Sequence, residues 1–103
     1  MIRVNVLYPG GEGKTFDLDY YLSTHIPLVE SSCAPYIKEV DVEAGVSGGA
    51  PGQPPTYLVM AHLTFDSVED FQTAFGSAGA ALMEDVPKFT NVTPVMQVSE
   101  VKV

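Results

Sequence analysis

Proton-transfer chemistry in this chain has few possible carriers, and His25 is the first of them. It falls in a run of Leu18, Tyr21, Leu22, His25, Leu28 and Val29, which recur at intervals of three and four and so lie along one side of a helix. An imidazole in that stripe faces the sheet. It is either a core histidine satisfied by a buried carbonyl or a Tyr hydroxyl, or a base lining a cavity between helix and sheet. Asp85 lies just past the last apolar position of a second helical run. There the negative end of the helix dipole disfavours a carboxylate and raises its proton affinity. It could pair with a histidine, or it is a solvated acid beside Glu84. His62 sits in a strand with Leu58, Met60 and Thr64, so it either lines the cavity or enters a contact between chains. Tyr8, Tyr20, Tyr21, Tyr57, Phe65, Phe71, Phe75 and Phe89 could line a pocket for a flat apolar ligand or simply fill the core.

Other chemistries lack their residues. Two histidines on different elements, with no ligand spacing between them and the carboxylates, give no reason to expect a metal. Cys33 is the only cysteine, which excludes an intrachain disulfide and a multi-thiolate site; it reads as a small buried apolar residue. Gly10, Gly11 and Gly13 form a turn, since no phosphate-cradling continuation follows them. No Ser-His-Asp spacing, nucleophile elbow or dinucleotide glycine signature appears, so no cofactor is expected. Thirteen acidic residues against five basic ones leave a net charge of −8, which repels nucleic acid and anionic lipid. Apolar stretches are too short to span a bilayer and the N-terminus lacks the pattern of a secretory signal, so a cytoplasmic location is expected.

The elements that must position these residues follow from periodicity. Ile2, Val4, Val6 and Tyr8 alternate with Arg3, Asn5 and Leu7 as a first strand. The helix carrying His25 covers about residues 18–32, with Asp17 as its cap and a kink expected near His25 because Pro27 cannot donate to Ser23. Residues 37–47 read as a strand with Glu39, Asp41 and Glu43 in water, and residues 48–55, rich in Gly and Pro, as a loop. Residues 56–65 carry large apolar groups on both faces, as in a strand covered from both sides. Ser67 and Asp70 match a capping pattern ahead of Val68, Phe71, Phe75, Ala78 and Leu82. Residues 92–103 return to strand character. The order β-α-β-β-α-β is the split βαβ plan of a ferredoxin-like α+β fold, a four-stranded antiparallel sheet with both helices on one face. A chain of 103 residues holds it as one domain. The bare face of the sheet is expected to meet an identical sheet in a homodimer.

Leu7-Tyr8-Pro9, Phe16-Asp17-x-Asp19-Tyr20-Tyr21 with His25-x-Pro27-Leu28, Phe65-Asp66-Ser67, and Asp85-x-Pro87-x-Phe89-Thr90-Asn91 together resemble the EthD family, named for a protein of ethyl tert-butyl ether degradation. The resemblance covers nearly the whole chain and implies a dimeric α+β barrel. Relatives sharing that barrel include cofactor-free monooxygenases, isomerases, and decarboxylases or dehydratases acting on aromatic or polyketide substrates. It implies His25 as the functional residue, Asp85 as a partner, and Tyr21 and Phe89 as pocket walls. Three functions fit: a protein binding a small apolar or aromatic metabolite, with Tyr8, Tyr21, Phe65, Phe89 and His62 as candidate contacts; a cofactor-independent enzyme with His25 as base and Asp85 or a tyrosine steadying the charge; or an accessory dimer without a cavity.

Overall fold

Alternating Ile2, Val4, Val6 and Tyr8 make strand β1 (Ile2–Pro9), with those four side chains turned to the helix-covered face. A computed structural model describes residues 1–103. β2 (Ile37–Ala44), β3 (Tyr57–Phe65) and β4 (Val95–Glu100) complete an antiparallel sheet ordered β2-β3-β1-β4. β3 is thus a central strand, hydrogen-bonded to β1 and β2. The register sets Val4 opposite Leu63, Val6 opposite Ala61 and Tyr8 opposite Val59; side chains alternate across a sheet, so these pairs share the covered face. This is the ferredoxin-like α+β arrangement expected from the element order.

The first helical segment, α1, runs from Leu18 to Ser32 and is not uniform. An α-helical turn at Leu18–Tyr20 passes into a π-helical turn at Tyr21–His25, where the Ile26 N–H bonds the Tyr21 carbonyl, and α-helix resumes at Ile26–Ser32. The expected kink is therefore an inserted residue located where Pro27 has no N–H to give. The insertion shifts the helical phase, which corrects one detail of the stripe: Leu22 is exposed, while Ile26 packs against the core cluster around Tyr8 and Tyr21.

The second helix, α2 (Val68–Asp85), starts at Ser67, whose Oγ accepts from the Asp70 N–H at 3.1 Å. Its buried residues are Ala74, Ala78, Leu82 and Asp85. A 3₁₀ turn, Val86–Lys88, follows. The core divides into two clusters along the sheet. One gathers Ile2, Val4, Val29, Cys33, Leu63 and Phe65 with α2; the other gathers Tyr8, Tyr21, Val59, Ala61 and Phe89. Burial of a side chain such as Phe65 contributes about 1.5–3 kcal/mol.

The uncovered face differs from the expectation for β3. Leu58 and Met60 do lie on it, but so does a row of polar contacts across all four strands. His62 Nε2 lies 3.1 Å from Glu43, His62 Nδ1 lies 2.7 Å from Asn5 Oδ1, and Asn5 Nδ2 donates to Ser99 Oγ at 3.3 Å. The face is mixed rather than apolar.

Candidate functional site

Loop 11–16 and segment 89–92 are knotted together by side-chain hydrogen bonds, and this clasp brings the start of α1 to the end of α2. Thr90 Oγ1 donates to the Thr15 carbonyl at 2.6 Å, Asn91 Nδ2 donates to the Gly13 carbonyl at 2.8 Å, and Asn91 Oδ1 accepts from the Thr15 N–H at 2.9 Å. Gly13 has φ +77°, a conformation that glycine adopts without steric cost. The Asp17 N–H then bonds the Phe89 carbonyl at 2.7 Å, and Asp17 caps α1 through the Tyr20 N–H.

With the two helix ends fixed, three polar side chains meet. His25 Nδ1 lies 2.8 Å from Asp85 Oδ2, and Tyr20 Oη donates to Asp85 Oδ1 at 2.8 Å. An ionised carboxylate only accepts, so Nδ1 carries the proton of a neutral His25 and the lone pair sits on Nε2. That nitrogen makes no hydrogen bond within the chain, and the ring lines a cleft between α1 and the sheet. Tyr21 stacks on the imidazole at 5.3 Å and 17°, and Phe89 leans on it at 4.7 Å. Lys88 Nζ stands 3.7 Å from Asp85 Oδ1 at the surface.

Asp85 departs from the expectation in sign. The helix-dipole argument raises its pKa, and burial acts in the same direction. The hydrogen bonds from His25 and Tyr20, with the nearby charges, outweigh both and hold the carboxyl below the usual carboxylate range. The reading of Asp85 as a solvated acid is also corrected: it is buried. The signal was present in spacing, because Asp85 continues the α2 stripe three residues after Leu82.

The cleft is narrow, about 40 Å³, and partly open to solvent. Twelve of its fourteen lining residues are hydrophobic, and the side-chain polar groups among them are the His25 imidazole and the Tyr8 and Tyr21 hydroxyls. Tyr8, Tyr21, Ala61 and Leu63 form part of the lining. Burial pushes the Tyr8 hydroxyl up to about 12, partly offset by the adjacent Tyr21 hydroxyl, and raises Tyr21 further still, so both remain neutral phenols.

Of the other candidate contacts, Phe89 packs on the His25 ring without lining the cleft, and two lie elsewhere. Phe65 packs on Phe71 at 5.6 Å in the other core cluster; at about 3.3 Å per residue along β3 it sits roughly 13 Å beyond Ala61. His62 alternates onto the opposite face of the sheet and is paired there with Asn5 and Glu43. The structure groups no three His, Cys, Asp or Glu side chains in a metal-binding cluster. Tyr20 is the participant that periodicity did not single out; its place beside Tyr21 in the Asp-Tyr-Tyr string was the only hint.

The family question is decided by residues 11–93, which match the model of the EthD domain. The chain belongs to the EthD family. Within this EthD domain lie the clasp, α1 and Asp85. An EthD-like protein from Ralstonia eutropha JMP134 superposes with a TM-score of 0.94 and 39% identity, over 99% of this chain and 92% of that one. An EthD family protein from Bacillus halodurans C-125 gives 0.75 and 23%, over 99% of both chains. A dimeric ferredoxin-like protein from Thermobifida fusca YX shares the fold at 0.58 and 18%, over 97% of this chain and 90% of that one. No curated protein matches the sequence. No helix of the EthD domain is long and apolar enough to cross a membrane.

Proposed function

We propose that this EthD domain binds a small, neutral, apolar or aromatic molecule in the α1–sheet cleft, and that His25 Nε2 accepts a proton from it. One observation carries the reading: a buried imidazole braced by Asp85 through Nδ1, with its other nitrogen unpartnered in the chain and the residue lining an apolar cleft. In a neutral imidazole only one nitrogen accepts, and the brace assigns that role to Nε2. Once the ring is protonated, the carboxylate at 2.8 Å offsets its charge and the transfer is stabilised where water is scarce. A carbon acid activated by a carbonyl or an aromatic ring, or a phenol, fits both the cleft and the base.

The cleft holds no lysine or arginine to pair with a carboxylate or phosphate, and the chain carries a net charge of −8, which argues for an uncharged ligand. The same absence favours a second reading. With no cation in the lining to stabilise a product anion and only the neutral Tyr8 and Tyr21 hydroxyls beside it, His25 would then act as a hydrogen-bond acceptor for a bound hydroxyl, with no turnover. Dimeric proteins of the same fold support a homodimer formed through the sheet.

A screen of phenolic and polyketide-like compounds against wild type and His25→Ala separates the two. General-base catalysis contributes about 10²- to 10⁴-fold, so a loss of that size is expected. Turnover unaffected by the substitution rules out His25 as base, and binding without turnover establishes the second reading.

A further inference from the structure

The helix layer stops short of one side of the sheet. α2 packs over β2 and β3, and the mouth of the His25 cleft opens at the other side, between the end of α2 and β4, where Met83, Pro94 and Met96 form its rim. Four large apolar side chains there are left in water: Met83 is 50% exposed, Val95 51%, Met96 40% and Val98 42%. β4 is also an edge strand, hydrogen-bonded to β1 alone.

Exposed edges in single-copy proteins are usually guarded by charge, proline or a bulge. β2, the other edge, is guarded in that way by Lys38, Glu39, Asp41 and Glu43. Residues Val95 to Ser99 of β4 carry no charge at all. Two copies of a chain with a net charge of −8 repel each other, which favours contact where the surface is neutral, and β4 is the neutral edge. A single strand can also face its own copy across a two-fold axis.

The register makes the contact continuous with the outer sheet face. Val95 lies opposite Leu7 and shares its face, whereas Met96 and Val98 lie opposite Val6 and Val4 on the helix-covered side. A copy seated on the outer face through Val95 and Leu7 therefore reaches the cleft rim by passing round one strand.

We propose that a second copy of this chain wraps the β4 edge and closes the mouth of the His25 cleft, so that the ligand site is complete only in the dimer. The inference rests on the small-ligand and homodimer readings above and adds the location of the contact and its consequence for binding. In a single copy the space open to water centres is about 40 Å³, while ligand pockets usually measure about 300–1,000 Å³. The cleft of one copy is partly open to solvent, and a wall supplied from outside would enclose it.

The experiment compares wild type with Val98→Glu by sedimentation velocity, circular dichroism and titration with the neutral aromatic dye N-phenyl-1-naphthylamine. Val98 does not line the cleft, so its substitution acts on the ligand only through the contact. Wild type is expected to sediment at twice 11.0 kDa and to bind the dye saturably; Val98→Glu is expected to be a folded monomer with affinity reduced at least about tenfold, which by the free-energy relation for binding is about 1.4 kcal/mol. Dilution of wild type through its own dissociation range gives the same comparison without a substitution, dye affinity falling in step with dimer. A monomeric variant, or diluted wild type, that binds as tightly as the dimer overturns the completed site and leaves the homodimer standing. A Val98→Glu protein that stays dimeric overturns the β4 contact. A monomeric wild type refutes the homodimer reading, and a dimeric wild type that takes up no dye refutes the small-ligand reading and the completed site together.

Discussion

Replacing Asp85 by asparagine or alanine tests the brace on which the base depends. In the folded chain the carboxylate accepts two hydrogen bonds of 2.8 Å, one from the buried His25 Nδ1–H and one from Tyr20. Tyr20 is half-buried and can turn its hydroxyl to water, so the cost is set on the His25 side. A hydrogen bond to a charged group contributes about 1.5–3 kcal/mol and a neutral one about 0.5–1.5. Asparagine keeps one acceptor oxygen for Nδ1–H, so Asp85→Asn costs the difference, about 1 kcal/mol. Asp85→Ala leaves a buried N–H without an acceptor and costs about 2–3 kcal/mol. It does not reach the larger penalty of a broken buried ion pair, because the imidazole can remain neutral.

The pH dependence follows from the sign of the shift. The folded-state pKa of Asp85 lies below its ordinary value, so the carboxylate's contribution is fully present above the unfolded value of about 3.9 and is lost as pH falls through the lower folded value. Urea unfolding at pH 7, with equal slopes, should show Asp85→Asn less stable by about 1 kcal/mol, and thermal unfolding should show a Tm lower by about 4–8 °C for a domain of this size. The gap to wild type should narrow steadily once the pH drops below about 4. Equal midpoints at pH 7, or a gap that survives undiminished in acid, would refute the brace.

Three other outcomes follow from particular contacts. An added Cβ at Gly76 meets nothing within 4 Å, so Gly76→Ala should raise the free energy of urea unfolding by about 0.5–1 kcal/mol; a lower value would mean the α2 surface there is covered. Thr90→Val removes the Thr15 contact and the acceptor for the Val92 N–H, for a loss of about 2–3 kcal/mol; a neutral substitution would show that the clasp does not hold the two helix ends. The Cys33 thiol is fully buried and burial pushes its pKa up, so Ellman's reagent should react only after unfolding, and prompt reaction with native protein would contradict that packing.

The strand and helix order was legible because each element carries its own period. Alternation marks β1 and the polar side of β2, and the three-four spacing after Ser67 marks α2, whose cap the structure reproduces at Asp70. The His25 stripe was legible too, and so was the trouble at Pro27. That the chain would answer with a π turn, turning Leu22 out and Ile26 in, was not, because a phase shift of one residue is settled by what packs against the helix. β3 misled for a related reason: in a strand of mostly large residues, alternation does not say which set meets the helices, and pairing with Asn5 and Glu43 decides that His62 faces away.

By itself the sequence determined what is local: the caps, the breaks at glycine and proline, the apolar faces, the absence of charge on β4 and the excess of acid elsewhere. These are properties of neighbours along the chain, where one hydrogen bond or one period is enough. Only the tertiary structure decided that Asp85 meets His25 across 60 residues, that Tyr20 completes the brace, and that Phe65 belongs to a different cluster from Tyr8. Those pairings are set by the register of β1 on β3 and by the clasp between residues 13–15 and 90–91, and no segment read alone contains both halves of either.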